Sequence, residues 1–235
     1  MSRAAPSRGS SKAKRTKKVS RLGQMKIAII GGTGSLGFGL AMRLAKTYEI
    51  TIGSRDLPRA TEAAAKVGAL ARVRVEAKEN REAVRACDIA ILAVPDLPPA
   101  GLLESLAPDL AEKLVISPIV PMLVKDGVFS VSHPEESAAE RVANAHPKAK
   151  VAGAFHTVPA PKLAQLAEPL DYDVLVTADS REVFALASRV VSSVGKLRPL
   201  YAGPLSVSWM VEAMTPALLN VSRLNKLDNP SIRLV

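Results

Sequence analysis

The run KIAII at Lys26–Ile30 has the length and apolar character of a buried strand, and glycines follow it at positions 31, 32, 34, 37 and 39. Within them, Gly32-Thr33-Gly34-Ser35-Leu36-Gly37 satisfies G-x-G-x-x-G. A helical pattern over 36–46 follows directly. Strand, glycine turn and helix in that order form the context in which this spacing has a mechanism. One glycine permits the tight turn, one lets backbone N–H groups approach a pyrophosphate, and one lets the helix lie close on the strand. The helix N-terminus adds partial positive charge toward the anion. The same glycines would also serve a tight turn that binds nothing.

Beyond the loop the pattern keeps alternating. Apolar runs of strand length fall at 49–52, 72–75, 89–94 and 114–117, with helical patterns over 58–66, 81–86 and 99–106 between them. Pro58 stands where a first-turn proline is tolerated. The run DIAILAVP is apolar on both strand faces, as a parallel sheet covered by helices on each side requires. Further strands are expected at 151–155, 172–177 and 196–200, and a helix over 182–194. Another helix is expected over 206–224, interrupted or bent at Pro216. The stretch 126–148 is polar with scattered prolines and reads mostly as loop, with one short helix near 135–143. The expected fold is α/β: a doubly wound, mostly parallel Rossmann sheet with a C-terminal helical segment.

Composition bears on what the charge means. The chain has 235 residues, 48% of them hydrophobic, and a formal net charge of +10. Residues 1–24 carry eight Lys or Arg and no acid, whereas the remaining 211 carry 24 basic and 22 acidic side chains. The charge therefore belongs to a tail too poor in apolar residues to fold. It reads as a solvated, disordered extension or a start placed ahead of Met25. A basic arm making weak contact with nucleic acid is the competing reading. Scarce aromatics argue against a base-stacking surface in the body. No apolar run is long enough to span a membrane. A single cysteine, Cys87, precludes an internal disulfide and suits a cytoplasmic protein.

At the end of the second strand, a site built for NAD would place a carboxylate against the ribose hydroxyls. This chain has Gly53-Ser54-Arg55 there, with Arg59 one helical turn later. A hydroxyl and two guanidinium groups suit a 2′-phosphate, which points to NADP(H). Val94, after the fourth strand, and Val120, after the fifth, are placed to frame the nicotinamide. No metal-ligand spacing and no nucleophile context appears. His133 and His146 precede prolines and read as turn residues, and Cys87 reads as core filler. His156, in GAFHTVPAPK, ends a strand on the ligand edge and fits a structural or a functional role equally.

The segments KIAIIGGTGSLGFGLAMRLAK, GSR, ISPIVP, GAFHTVPAPKLA, LRPLYAGPL and VEAMTPALLNVSRLN together resemble the NADPH-dependent reductases of the deazaflavin coenzyme F420. The resemblance runs from Met25 nearly to the C-terminus. It implies hydride transfer between C4 of nicotinamide and C5 of the deazaflavin. In the family, the residues matching Thr33–Leu36, Ser54, Arg55 and Arg59 hold NADP. Those matching Val94, Val120 and Ala160 border it, and His156 and Thr215 match residues beside the deazaflavin. Trp209 and Ala213 stand where family members carry Arg and Ser. That departure leaves room for another acceptor in the same architecture: a flavin, a pyrroline-carboxylate-like imine or a metal chelate. A non-catalytic NADP-binding module is the third reading. The expected organisation is a tail over 1–24 and an NADP-binding unit over 25–203, its core motifs within 25–122. A helical segment over 204–235 completes the deazaflavin site and pairs two copies in a homodimer.

Overall fold

The computed structural model describes residues 25–95, 101–132 and 137–235. The tail over 1–24 and His133 lie outside the described residues. Strand and helix alternate from the start: β1 (Lys26–Ile30), α1 (Ser35–Leu44), β2 (Glu49–Ser54), α2 (Leu57–Ala71), β3 (Val75–Glu79), α3 (Asn80–Arg85), β4 (Ile89–Leu92), α4 (Leu102–Leu110) and β5 (Leu114–Ser117). The second half adds β6 (Met122–Lys125), β7 (Val128–Val131), α5 (Ala138–Ala145), β8 (Lys150–Gly153), α6 (Ala160–Leu163), β9 (Asp173–Ala178), α7 (Arg181–Ser192), β10 (Arg198–Gly203) and α8 (Ser208–Asn225).

Eight strands form one sheet in the order β3-β2-β1-β4-β5-β8-β9-β10. All neighbouring pairs are parallel except β8–β9. The sequence dictates this layering, because side chains alternate across a strand. Ile27 and Ile29 enter one core with Leu40, Val67 and Val190, and Ala28 and Ile30 enter a second with Val84, Leu106 and Val142. Helices α1, α2 and α7 therefore cover one face, and α3, α4 and α5 the other. The C-terminal ends of β1, β2, β4, β5 and β8 share one edge. Ligands collect at such an edge.

Three expectations need correction. The third strand begins at Val75 because α2 runs on past Gly68 and stops only where Arg72 turns left-handed (φ 57°). β3 is a half-exposed edge strand, so an apolar run does not mark it. The polar stretch after 121 contains a hairpin, β6–β7, turned by Asp126 and Gly127 with φ of 50° and 75°. An Asp-Gly pair between alternating residues is the strongest short hairpin signal, and MLVKDGVFSV carries it. Helix α8 is continuous through its buried Pro216. His146 is a turn residue, as expected: it C-caps α5 and its carbonyl accepts from Ala149 N at 2.9 Å, while its ring is buried with neither nitrogen hydrogen-bonded.

After α8 the chain returns along the sheet. Asp173 accepts from both Arg198 Nε and Nη2 at 2.7 Å and from Leu234 N at 2.6 Å, and its own N–H donates to Ile232 O. These partners, Arg198 first, hold the Asp173 carboxyl down at about 2. They clamp residues 231–235 against β9.

Candidate cofactor cleft and acceptor side

The glycine loop works through close approach. Gly31 has φ +83°, and a Cβ there would lie 2.2 Å from Ala93 O. A Cβ on Gly37 would lie 2.6 Å from Gly31 O, so only glycine lets α1 start this close to β1. The left-handed residue is thus Gly31, one position ahead of the motif. Gly34 is the N-cap of α1 and offers no side chain to its N–H groups. The first turn of α1 therefore faces the cleft as donors and partial positive charge.

That cleft is a cavity of about 780 Å³. The structure brings Thr33, Gly34, Ser35 and Leu36 from the loop into its wall, with Ser54, Arg55 and Arg59 from the end of β2 and Val94 from beyond β4. Gly32 and Gly37 sit behind it as backbone supports. At its corner, Ser54 Oγ accepts from Asp56 N at 3.1 Å, and Asp56 Oδ1 accepts from Arg59 N at 3.0 Å. Ser54 keeps its hydroxyl proton for a ligand. The Asp56 carboxylate caps α2, while the Arg55 and Arg59 side chains are exposed.

Four further sequence candidates lie off this cavity wall. Ala160 opens α6, and its carbonyl lies 3.3 Å from where a Gly39 Cβ would be. Val120 is half-buried after β5. His156 lies just beyond β8 and is 6% exposed, with neither ring nitrogen hydrogen-bonded. Burial pushes its pKa down to about 4, opposed only weakly by the adjacent Ser117 backbone, so the imidazole is neutral. Thr215 Oγ1 donates to His156 O at 2.8 Å.

Thr215 belongs to a polar rail that sequence reasoning missed. Ser208 Oγ pairs with Thr177 Oγ1, and Glu212 accepts from Ala138 N at 2.9 Å and Ala139 N at 3.1 Å. Ser208, Glu212 and Thr215 recur at i, i+4 and i+7, one face of α8. Glu212 is 2% exposed, and burial pushes its carboxyl up to about 6 despite the two N–H donors. Trp209 lies outside this face and is 43% exposed. The i, i+4, i+7 spacing of polar residues was the available signal.

Residues 26–121 match the sequence model of the family described as NADP oxidoreductase, coenzyme F420-dependent. The F420-dependent NADP reductase of Methanothermobacter thermautotrophicus is 35% identical over 219 residues, which cover 89% of this chain and 94% of that protein. The Methanocaldococcus jannaschii F420-dependent NADP reductase is also 35% identical, over 89% of this chain and 98% of its own length. The chain belongs to the F420-dependent NADP reductase family. A solved Arthrobacter structure, provisionally named an F420-dependent NADP-reductase, has the same fold with a TM-score of 0.75 at 19% identity. It covers 90% of this chain and 99% of its own. A Streptomyces aurantiacus imine reductase shares the fold more loosely, with a TM-score of 0.57 at 18% identity, over 85% of this chain and 63% of its own. The cleft corner carries one serine, two exposed arginines and the Asp56 carboxylate, whose Oδ1 is occupied by Arg59 N.

Proposed function

We propose that the protein transfers a hydride between NADP(H) and the deazaflavin coenzyme F420. The observation that carries this is 35% identity, over 89% of the chain, to F420-dependent NADP reductases. The residues present fit the nucleotide, since a glycine-backed helix terminus and an arginine corner meet in one cleft. In the forward direction NADPH, oxidised F420 and one proton give NADP⁺ and reduced F420. The hydride, which carries both electrons, would pass from nicotinamide C4 to deazaflavin C5, and the proton would go to the deazaflavin.

The protein's part is geometry and electrostatics. Loop residues Thr33–Leu36 hold the pyrophosphate, and Ser54, Arg55 and Arg59 hold the 2′-phosphate. Val94, Val120 and Ala160 border the nicotinamide and keep water from it. His156 and Thr215 serve the deazaflavin side. An unpartnered buried imidazole costs about 1–3 kcal/mol unless a ligand or water meets it. A ring with carbonyl and N–H groups supplies both partners. We also assign 25–203 to NADP binding and 204–235 to completion of the acceptor site, in a cytoplasmic homodimer. Exposed apolar residues on α8 and the hairpin (Met210, Val221, Leu224, Leu123, Val124) support a second copy as partner.

The test mixes purified protein with NADPH and oxidised F420 and follows the visible absorbance of the deazaflavin. Bleaching at a rate set by enzyme concentration supports the assignment. NADPH binding without bleaching, but with turnover of an imine or flavin, would move the acceptor to the alternative that Trp209 and Ala213 leave open. Binding with no turnover on any acceptor would leave a nucleotide-binding module.

A further inference from the structure

We propose that Arg43, on the buried face of α1, is a positioning residue for hydride transfer. It ties down the segment 155–168, which carries His156 and Ala160, onto the helix whose N-terminus faces the cofactor cleft. This rests on the assignment of Ala160 to the nicotinamide and His156 to the deazaflavin. The glycine run points to it, because Gly39 lies beyond the G-x-G-x-x-G spacing and faces no pyrophosphate. A Cβ on Gly39 would lie 2.5 Å from Leu163 Cβ, so the missing side chain lets α6 lie directly on α1. Arg43 follows one turn later on the same face. Its side chain is buried, and no carboxylate bonds to it among the described residues. Instead Nε donates to Leu163 O at 2.8 Å, and Nη2 lies 3.1, 2.6 and 3.1 Å from the carbonyls of Lys162, Gln165 and Glu168. These are the carbonyls that the end of α6 and its following turn leave without helical partners. A rigid planar fork of donors suits such a cluster, and a lysine does not reproduce it.

The segment needs holding because its first residue is strained. Phe155 is buried with φ of 71°, a left-handed backbone that a bulky residue keeps only where its surroundings impose it. His156 comes next. Its carbonyl accepts from Thr215 Oγ1, and the carbonyl of Thr157 accepts from Ser231 Oγ at 3.0 Å. The segment is thus pinned to the C-terminal part of the chain at one end and to α1 at the other. Val158, Pro159 and Ala160 lie between the pins. Through Arg43, the residues assigned to the two rings and the loop assigned to the pyrophosphate share one rigid helix. Ring placement that slips by about 1 Å can cost a hundredfold in rate, so this anchor acts on the chemistry without touching it.

The test uses the full chain and three readouts, each taken below the melting temperature of the variant concerned. They are the Kd for NADPH, the nicotinamide emission of bound NADPH, and the single-turnover rate of F420 bleaching at saturating NADPH. Arg43→Lys keeps the charge and loses the fork, and Gly39→Ala pushes α6 off the same face by a different means. Both should lower the single-turnover rate about ten- to a hundredfold and shift the bound emission. The Kd for NADPH should stay within about threefold of native. Lys113→Met is the control for stability alone. Lys113 Nζ donates to Val84 O at 2.6 Å and Arg85 O at 3.2 Å at the opposite edge of the sheet, so its loss should lower Tm and leave rate and emission native. If Arg43→Lys does not fold, Gly39→Ala carries the comparison. Native rate and emission in the Arg43 and Gly39 variants overturn the proposal. So does an equal fall in rate in Lys113→Met at the same loss of Tm. NADPH binding without F420 bleaching in the native protein overturns the acceptor reading, and the emission shift then decides for or against Arg43. Absence of NADPH binding to the native protein overturns the cofactor reading and this proposal together.

Discussion

The two sides of the ligand edge are built by opposite means. On the nucleotide side, backbone makes the site: glycine α-carbons let two elements approach, and helix N–H groups face an open cleft of about 780 Å³. On the proposed acceptor side, buried side chains hold the wall together, through hydrogen bonds that span 31 to 74 residues of sequence. The first arrangement is insensitive to proton concentration but intolerant of a single added carbon. The second tolerates small changes in shape but contains two buried titratable groups, His156 and Glu212.

The sharpest way to break the contrast is at Gly31. An alanine there meets a carbonyl oxygen at 2.2 Å in a left-handed backbone, and neither obstacle is a movable side chain. Gly31→Ala should destabilise the fold by about 3 kcal/mol or more, from backbone strain and overpacking together. Thermal melting reads it, and an unchanged Tm with intact NADPH affinity would remove the close-approach account.

The acceptor side should instead show a hidden pH balance. Glu212, raised to about 6, carries a proton in the folded state that the unfolded chain releases near 4.5, so its contribution falls as pH rises through that interval. His156, lowered to about 4, stays neutral where the unfolded chain is protonated below 6.5, so its contribution rises with pH. The two slopes oppose each other between about pH 4.5 and 6. Glu212→Gln should leave the His156 rise, about 3 kcal/mol from pH 4 to 6.5, unopposed in the variant. His156→Phe should unmask a fall of about 2 kcal/mol across the Glu212 interval. Denaturant titrations at several pH values give both difference curves, and parallel curves for native and variants would show that neither group is perturbed.

The same contrast explains what could be read in the sequence. Glycine spacing acts where it stands in the chain, so the loop and the layered sheet were legible in the sequence, as was the Ser-Arg pair that we propose as the clamp. Even so, the critical turn falls on Gly31 and not on the first motif glycine, because the clash that fixes it comes from Ala93, just beyond the end of β4. For Glu212 only the i, i+4, i+7 spacing with Ser208 and Thr215 could be read, since its two donors are backbone N–H groups at Ala138 and Ala139. Backbone leaves no residue-type signature.

Two smaller effects sharpen the division of labour. Arg55→Ala should raise the Kd for NADPH by about ten- to a hundredfold, the usual value of a charge-assisted bond to phosphate, and leave NADH binding unchanged. Equal losses for both nucleotides would move the 2′-phosphate elsewhere.

Thr215→Val isolates the other side with the least disturbance. Valine matches threonine in shape, so packing on α8 is preserved and only the bond to His156 O at 2.8 Å is lost. One such bond is worth about 1 kcal/mol, a modest loss of stability. The telling readout is kinetic. If α8 positions the acceptor by holding the His156 backbone, kcat and the KM for the deazaflavin should change while the Kd for NADPH does not. A variant whose NADPH affinity falls instead would mean that the backbone-built cleft and the side-chain-built rail act as one site, because the loss at α8 would then have crossed from β8 to the glycine loop.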